Sequence, residues 1–441
     1  MKNFIKKITP EWVLSLYHYS LALIADLCYG FPSKKMIVIG VTGTKGKTST
    51  ANFIWSSLEA GGFKTGIIST ANIRIADKQS LNYLHMTMPG RFAIQKLMAE
   101  MVKHGCKFCV VETTSEGIKQ FRHIGIRYDM AVFTNLTPEH LPSHGGSFEA
   151  YKEAKSKLFK VLSTHSKTID GKRVEKVIIA NKDSEHADYY LNHIADKKIT
   201  YAINSSADYV AAQIVETNSG VDFEINGAKF NLSILGKFNV YNALPAIIIS
   251  KSFRMNDVAI RKGLLGLQLI PGRMEQINQG QNFTVIVDYA HEKQSITNVL
   301  QTAKNMKINS GKPNAKTIIL LGAEGGGRDR AKRPIMGELS AKMADYLIVS
   351  NVDPYDDDPK DIVEDIAVSA EKFGMVRNNN LFVIEDRGEG IRKALSLARE
   401  GDVVLITGKG AEQSMILGNK IIPWDDRKVV REELAMLLKV N

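Results

Sequence analysis

The sequence predicts an α/β protein with two domains built on largely parallel sheets, preceded by a short helical segment. Apolar runs of strand length, among them KMIVIGV, FCVVET, DMAVFTN and KVIIAN, alternate with helical patterns through the first two thirds of the chain. That alternation is typical of a parallel sheet with helices on both faces. After a Pro-Gly pair, a second series runs from FTVIVDYA to DVVLITGKG, which predicts a second, Rossmann-like sheet.

The first element, residues 1–35, is predicted to be a helical segment. Its apolar stretch WVLSLYHYSLALIADLCYGF, residues 12–31, is about as long as a membrane span and follows three lysines. An internal histidine, an aspartate and several tyrosines argue against a span, and no small-residue cleavage site of a signal peptide follows. We expect an amphipathic helix with one buried and one polar face, packed on the first domain's sheet. Peripheral membrane contact through residues 12–31 is the alternative.

The second element, residues 36–270, opens with a strand and the glycine-rich loop VTGTKGKTST at residues 41–50. Its glycines allow positive φ, so that backbone N–H groups can point at an anion. Lys47 can reach the outer phosphates of a nucleotide, and the Thr48 hydroxyl can bind Mg²⁺. The stretch Ser49–Ala60 is predicted to be a helix whose positive end faces the same anion. This order predicts a P-loop domain, the alternative being a glycine-rich turn with incidental lysines.

The remaining elements follow from changes in pattern. Short alternating strands between Ile199 and Leu235 predict a small antiparallel lobe or sheet edge. Residues 271–441 form the third predicted element, the C-terminal domain. Glu112 ends the apolar run FCVVE, a position at which a sheet often presents a metal-binding carboxylate.

Composition restricts the function. The 441 residues are 44% hydrophobic and carry a formal net charge of +11 without a long basic block. This distribution favours small polyanionic substrates such as nucleotides, and we expect no nucleic-acid partner. Three cysteines indicate a reducing, cytoplasmic compartment. The CxxC of Cys106 and Cys109 lacks the second pair that a zinc ribbon needs, so we expect alternating burial on a strand.

Eleven motifs together resemble those of the Mur ligases, over about residues 36–435. In order they are GVTGTKGKTST, TMPG, VVETTSEG, AVFTNLTPEHLPSHG, YKEAKSKLF, GKFNVYNALPA, PGRMEQI, VDYAH, GGGRDRAKRPIM, NVDPYDDDP and ITGKGAEQ. The resemblance is greatest to the MurE branch, which adds the third amino acid to UDP-N-acetylmuramoyl-dipeptide. It implies a cytoplasmic, ATP- and Mg²⁺-dependent ligase of peptidoglycan precursor synthesis. Such an enzyme activates a carboxylate as an acyl phosphate, which an amino group then attacks.

The resemblance also implies roles for individual residues. The implied catalytic residues are Lys47, Lys155, His140 and Arg273. The implied metal ligands are Thr48, Glu112, His140 and, if it is carbamylated, Lys155. The implied ATP-binding residues are Gly43, Thr44, Lys45, Gly46, Lys47, Thr48, Ser49, Asn239, Asn242, Arg273, Asp288 and His291. The implied substrate-binding residues are Thr87, Thr114, Ser115, Arg328, Asp353, Tyr355, Gly408 and Glu412.

Without the resemblance, several of these residues have ordinary interpretations. Lys155 would be a solvated helix lysine and His140 a packed or helix-capping histidine. Lys157 points elsewhere on the same predicted helix and is the natural control.

Two of the departures from the MurE pattern concern the substrates. About 40 residues precede the P-loop, where the typical member carries a whole domain for the UDP end. The uridine is therefore held differently, or the substrate is not a UDP-sugar. Tyr355 replaces the arginine that grips the distal carboxylate of diaminopimelate, and Asp353 and residues 356–358 are acidic. We therefore expect lysine or ornithine as the added amino acid, the alternative being a solvated loop and helix cap.

Two alternatives to the MurE function remain. One is a ligase of the same superfamily with another acceptor, such as folylpolyglutamate synthase or an enzyme acting on a non-UDP peptide. The other is a partner-dependent ligase-like subunit, which the single CxxC disfavours. The expected partners are small molecules, an acid and an amino acid, and the sequence leaves monomer and dimer open.

Overall fold

The computed structural model describes residues 10–76, 78–82, 84, 86–139 and 141–440, without the side chains of residues 11 and 440. The chain divides into two compact units. The first comprises the chain up to residue 212 with 223–230 and 240–267, and the second comprises residues 213–222, 231–239 and 268–441. Both contain strands alternating with helices, which confirms the predicted α/β class.

The described helices are α1 (Glu11–Cys28), α2 (Lys47–Ala60), α3 (Arg91–Lys103), α4 (Ser115–Lys119), α5 (Phe148–Lys160), α6 (Ala187–Leu191), α7 (Phe238–Ser252), α8 (Asp257–Gly266), α9 (Lys293–Asn309), α10 (Lys332–Met343), α11 (Pro359–Lys372), α12 (Arg387–Leu397) and α13 (Asp426–Val440). The described strands are β1 (Ile37–Thr42), β2 (Thr65–Ile68), β3 (Asn72–Ile75), β4 (Lys78–Leu81), β5 (Phe108–Glu112), β6 (Met130–Phe133), β7 (Thr168–Ile169), β8 (Lys172–Arg173), β9 (Val177–Asn181), β10 (Lys197–Ala202), β11 (Tyr209–Thr217), β12 (Gly220–Ile225), β13 (Ala228–Leu232), β14 (Glu275–Ile277), β15 (Thr284–Asp288), β16 (Thr317–Leu321), β17 (Tyr346–Val349), β18 (Leu381–Val383), β19 (Val403–Thr407), β20 (Ser414–Leu417) and β21 (Lys420–Pro423).

The larger sheet has eleven strands in the order β13-β12-β11-β10-β9-β6-β1-β5-β2-β3-β4. Its central strands β5, β1, β6 and β9 are parallel to one another. Val41 pairs with Glu112 and Thr42 with Phe133, so the loops that leave these strands emerge at one edge. Such a carboxyl edge is where open α/β sheets bind ligands. The alternating strands after Ile199 extend this sheet as its edge.

Helix α2, which follows the glycine-rich loop, is fixed by residues far along the chain. Ser57 Oγ lies 2.7 Å from Ser250 Oγ in α7. Ser56 Oγ donates to the carbonyl of Gly263 in α8 at 2.7 Å. A Cβ at Gly263 would lie 2.6 Å from the Cα of Ser57, so glycine is what allows the two helices to approach this closely.

The smaller sheet, in the second unit, has six strands in the order β14-β15-β19-β16-β17-β18. The β14 strand is antiparallel to β15, and the other five are parallel. The strands β16 and β19 are fully buried, as expected of central strands covered on both faces. Asp288 ends β15 and Thr407 ends β19, paired with each other at the carboxyl edge.

The N-terminal helix α1 differs from the prediction. It packs mainly against α3 and turns Ala22, Ala25 and Asp26 inward. The outward side, predicted to be polar, is apolar instead. We call the following exposed residues the apolar face: Trp12, Leu16, Tyr17, Tyr19, Leu23, Ile24 and Leu27. No helix within the described ranges combines the length and apolar character needed to cross a membrane.

The cysteine prediction is also corrected. Cys109 lies in β5, Cys106 lies just before it, and both are buried, so burial does not alternate between them. Neither cysteine forms a disulfide.

Candidate active site

The P-loop of the first unit is held in shape by its glycines. Gly43 has φ 149° and Gly46 has φ 82°, a backbone region that favours glycine. A Cβ at Gly43 would lie 2.0 Å from Thr134 Oγ1, and one at Gly46 would lie 2.2 Å from Asn242 Oδ1. Both positions therefore require glycine for space as well as for conformation.

Residues that directly follow the neighbouring strand β6 hold the P-loop in place through hydrogen bonds. The backbone N–H of Lys45 donates to Asn135 Oδ1 at 2.8 Å, and Thr134 Oγ1 donates to the carbonyl of Lys45 at 2.7 Å. Lys47 Nζ reaches back over the loop to the carbonyl of Thr44 at 2.8 Å. The loop thus curls around the first turn of α2, where backbone N–H groups and the helix dipole favour an anion.

Glu112 connects this loop to the neighbouring strands. It is buried at the end of β5, and its Oε2 atom accepts from Thr48 Oγ1 at 3.0 Å. The same oxygen accepts from the N–H and the hydroxyl of Thr70 at 2.8 and 3.0 Å. Thr70 Oγ1 in turn lies 2.8 Å from Thr87 Oγ1. The Glu112 carboxylate, through Thr70, therefore connects the P-loop to Thr87, which was predicted to bind substrate.

Lys155 lies beside the loop and is fully buried in α5. Its Nζ donates to the carbonyl of Gly43 at 2.8 Å and lies 4.4 Å from the centre of the Tyr151 ring. Burial, together with the nearby charge of Lys47, lowers the pKa of the Lys155 amine well below its usual value. Lys157 is exposed. Lys155 is therefore not the solvated helix lysine that the sequence pattern alone would give.

A second lysine of the loop has an acidic partner. Lys45 Nζ lies 2.8 Å from Glu139 Oε2, and Glu139 is buried. His140, the next residue and a predicted metal ligand, lies outside the described residues. Among the residues that the structure describes, no group of three or more His, Cys, Asp or Glu side chains is arranged to hold a metal ion. Thr48 and Glu112 nevertheless offer two hard oxygen donors side by side, as Mg²⁺ prefers when phosphates and water supply the rest.

The other predicted residues of the first unit lie near α4 and α7. Thr114 caps α4 by accepting from the N–H of Gly117 at 3.1 Å. Ser115 Oγ lies 3.1 Å from His144 Nε2, and burial together with Lys119 lowers the pKa of His144. Asn242 Oδ1 lies against Gly46 and within 3.5 Å of Thr50 Oγ1.

Asn239, assigned to the second unit, donates to the carbonyl of Leu235 at 2.7 Å. Asp288 is held more tightly, since its two oxygens accept from the N–H groups of Met274 and Ala290 at 2.7 and 2.8 Å. The carboxylate of Asp288, predicted to bind ATP, therefore also shapes the turn that carries Arg273.

Around Tyr289, three predicted residues of the second unit meet. The Arg273 guanidinium lies 4.3 Å from the centre of the Tyr289 ring. His291 Nδ1 lies 2.6 Å from the Tyr289 carbonyl oxygen, and the Tyr289 hydroxyl donates to Glu412 Oε1 at 3.0 Å. Sequence reasoning did not select Tyr289, although it stands inside the VDYAH motif.

Asp353 and Glu412 share a buried cation. Lys409 Nζ lies 2.9 Å from Asp353 Oδ2 and 2.8 Å from Glu412 Oε2, and Lys409 is fully buried. Asp353 Oδ1 also accepts from the N–H of Ile416 at 2.8 Å. Gly408, at φ 116°, turns the chain into this cluster. Sequence reasoning overlooked Lys409, whose signal was a lysine between two glycines directly after a buried strand.

A second cluster in this unit was also missed. Lys332 Nζ lies 2.9 Å from Glu324 Oε2 and 3.2 Å from Glu292 Oε1, and all three groups are largely shielded from solvent. An ammonium flanked by two carboxylates leaves one net negative charge in each of the two clusters.

Three of the four aspartates expected to form an acidic pocket near Tyr355 have partners in the structure. Asp353 pairs with Lys409, and Asp357 lies 3.1 Å from Arg330. Asp358 caps α11 by accepting from the N–H of Lys360 at 2.9 Å, so the alternative of a helix cap is correct there. Tyr355 has φ 52°, and the Arg328 guanidinium lies 5.8 Å from the centre of its ring.

Comparison with known families agrees with this arrangement. Residues 41–250 match the Mur ligase middle domain, and residues 272–410 match the Mur ligase glutamate ligase domain. The UDP-N-acetylmuramoyl-L-alanyl-D-glutamate–2,6-diaminopimelate ligase of Geobacillus kaustophilus is 37% identical, over 96% of this chain and 83% of that protein. The UDP-N-acetylmuramyl-tripeptide synthetase of Roseiflexus sp. is 35% identical, over 95% of this chain and 82% of that protein.

Solved structures show the same fold. A UDP-N-acetylmuramoyl-L-alanyl-D-glutamate–2,6-diaminopimelate ligase superposes with a TM-score of 0.60 at 29% identity, covering 92% of this chain and 79% of that one. A folylpolyglutamate synthase of Mycobacterium tuberculosis complexed with ADP superposes with a TM-score of 0.66 at 18% identity, covering 96% and 94%. The second likeness shows the fold alone.

Proposed function

The chain belongs to the Mur ligase family, and from that premise we propose that it is an ATP-dependent ligase of peptidoglycan precursor synthesis. It activates the carboxylate of a UDP-N-acetylmuramoyl-peptide as an acyl phosphate and joins it to an amino acid. The observation that carries the proposal is the group formed by the P-loop, Glu112 and Lys155 at the carboxyl edge of β1 and β5. We place the reaction in the cytoplasm, where ATP is available and cysteines that form no disulfide stay reduced.

The P-loop residues bind and orient the phosphates of ATP. Lys47 and the N–H groups at the start of α2 offset their negative charge, and this kind of stabilisation is the main protein contribution to phosphoryl transfer. Thr48 and Glu112 would hold Mg²⁺, which supplies charge neutralisation between the phosphates when bound. Glu112 keeps its orientation through Thr70.

We assign Lys155 as the site of carbamylation. An amine must be neutral to attack CO₂, and the lowered pKa of Lys155 raises the neutral fraction. The ammonium first loses one proton to solvent. The neutral amine then adds to CO₂: the nitrogen–carbon bond forms, one C–O π bond opens and the nitrogen loses a second proton to solvent, so that the side chain ends as an anion. The carbamate would relieve the repulsion between Lys155 and Lys47 and provide oxygen donors toward the metal side of the loop.

The remaining proposed roles fall on residues of the second unit and on Asn242 of the first. We assign Arg273, Asp288 and His291 to ATP, and Glu412 and Gly408 to the incoming amino acid. Asn239 and Asn242 are assigned to the adenine end.

Diaminopimelate is the amino acid that the structure and the relatives favour. Asp353 pairs with Lys409 and Asp357 with Arg330, which weakens the reason to expect lysine or ornithine. Relatives named as diaminopimelate ligases are 33–37% identical to this chain. Arg328, whose guanidinium lies 5.8 Å from the centre of the Tyr355 ring, would supply the cation in place of the missing arginine.

The test measures phosphate release from ATP with equal concentrations of meso-diaminopimelate, L-lysine and L-ornithine. Each is assayed with and without UDP-N-acetylmuramoyl-L-alanyl-D-glutamate, and the product is identified by mass. We expect release to require both the UDP-dipeptide and diaminopimelate. Release with pteroylglutamate and glutamate, but not with the UDP-dipeptide, would contradict the proposal in favour of a folylpolyglutamate-type ligase. Lys47→Ala controls for contaminating ATPase.

A further inference from the structure

The apolar face of α1 is the largest feature that the ligase function leaves unexplained. Trp12 is 70% exposed, Leu16 59% and Leu27 63%. Leu23 lies between Leu16 and Leu27 in the chain. The four residues are spaced four, seven and four positions apart, so they form one stripe along the helix. Residues 1–35 contain two acidic residues, Glu11 and Asp26, and Asp26 is buried. Contiguous apolar surface of this kind is rare on a protein with no partner there.

The surroundings of this face are basic. Lys34 and Lys35 are exposed just beyond the helix, and Lys34 and Arg127 lie close enough to Asp26 to influence its charge. Arg91 lies beside Tyr17 and Arg122. The nine residues before the described range add three lysines and no acid. An apolar stripe bordered by cations is complementary to an anionic surface with an apolar interior.

We propose that the apolar face of α1 binds the surface of a membrane containing anionic lipids, with the helix lying in the plane of the interface. Leucine and isoleucine side chains would enter the acyl boundary. Trp12, Tyr17 and Tyr19 carry an apolar ring with a polar group, the type of side chain enriched at the headgroup level. The bordering lysines and arginines would lie among the anionic headgroups. A helix that is too polar to cross a bilayer is compatible with this position.

A second copy of the chain fits this face less well. Two copies joined through it would bring their basic borders together, and like charges at an interface oppose association. Anionic lipid instead offsets the same charges. The membrane is therefore the occupant that the charges favour.

The experiment is sedimentation of the full chain with vesicles. Vesicles of phosphatidylcholine alone are compared with vesicles that also contain phosphatidylglycerol. The test variant Leu16→Glu/Leu23→Glu places two charges on the apolar face. The control Val258→Glu/Leu265→Glu places two charges, also seven residues apart, on exposed positions of α8. Because all four residues are exposed, both variants should melt at the temperature of the unchanged chain.

We expect the unchanged chain and the control to bind phosphatidylglycerol vesicles, and the test variant to bind at least about tenfold more weakly. Lys34→Glu/Lys35→Glu should weaken binding by at least about fivefold for each lysine, and only when anionic lipid is present. Failure of the unchanged chain to bind, or equal binding by test and control, would overturn the proposal. Self-association that disappears in the test variant, without vesicle binding, would assign the face to a second copy and overturn it as well.

Discussion

Replacing Lys155 separates its chemical role from its packing role. Lys155→Ala removes the amine and three buried methylenes, whereas Lys155→Met removes the amine but keeps most of the stem. If Lys155 functions as a carbamate, both variants lose ligase activity by about 10²–10³-fold, the usual effect of removing one charge-stabilising group from an active site. Lys157→Ala, on the exposed side of the same helix, should change activity less than twofold.

The two variants should differ in stability. In Lys155→Ala the lost methylenes cost about 2.4 kcal/mol at roughly 0.8 kcal/mol each, and the Gly43 carbonyl loses its donor for a further ~1–3 kcal/mol. Lys155→Met loses only the donor. It also relieves a penalty: because the folded-state pKa of Lys155 is lowered, the unfolded chain binds a proton at neutral pH that the folded chain binds poorly. We therefore expect Lys155→Met to be close to the unchanged chain in stability.

The assay follows ligase product with and without formate, acetate or propionate. The cavity in Lys155→Ala can admit a small carboxylate in place of the carbamate, so activity should partly return. Lys155→Met fills that space and should not respond. Full activity of Lys155→Met, or equal rescue of both variants, would refute the carbamate role.

Three further predictions concern other charged groups. Lys47→Ala should weaken Mg·ATP binding at least about a hundredfold, measured by isothermal titration, because a cation at the phosphates is lost. The control Lys157→Ala should leave the affinity unchanged. Unchanged affinity in Lys47→Ala would contradict its assignment to the phosphates. Burial lowers the pKa of His123 from 6.5 to about 4, so the unfolded chain takes up a proton between these values that the folded chain does not. As the pH is lowered from 6.5 to about 4, the unfolding free energy measured by urea denaturation should fall. His123 should contribute up to about 1.4 kcal/mol of this fall per pH unit. His123→Gln should flatten the slope, and an unchanged slope would exclude His123 as its source. Lys409→Met leaves Asp353 in a buried acidic pair, and we expect a loss of about 3–5 kcal/mol by the same denaturation; a loss below about 1 kcal/mol would show that the pair is solvated.

The parts of the fold that sequence predicted are those set by local pattern. The apolar runs of β1 and β5 gave the central strands, because strands buried on both faces are continuously apolar. The GKT motif marked the first turn of α2. The position of Glu112 at a strand end followed from the same run.

The contacts that sequence reasoning missed join residues that are far apart in the chain. Lys409 pairs with Asp353 from 56 positions away, and nothing near either residue indicates the other. The same is true of the carbonyl of Gly43, which Lys155 meets across 112 positions. The prediction of which face of α1 is exposed was wrong for another reason. The polar side chains of the helix were assumed to face water, but Asp26 is buried.

The bonds that fix α2 have a consequence for how the protein is made. The hydrogen bond from Ser56 cannot form until Gly263, 207 residues later in the chain, has been synthesised. At a synthesis rate of 5–20 residues per second, this is roughly 10–40 s of translation. During that interval the nucleotide loop has left the ribosome without the helices that support it. The nascent chain is therefore exposed to aggregation and proteolysis until α7 and α8 emerge, and ribosome pausing before residue 263 should be selected against.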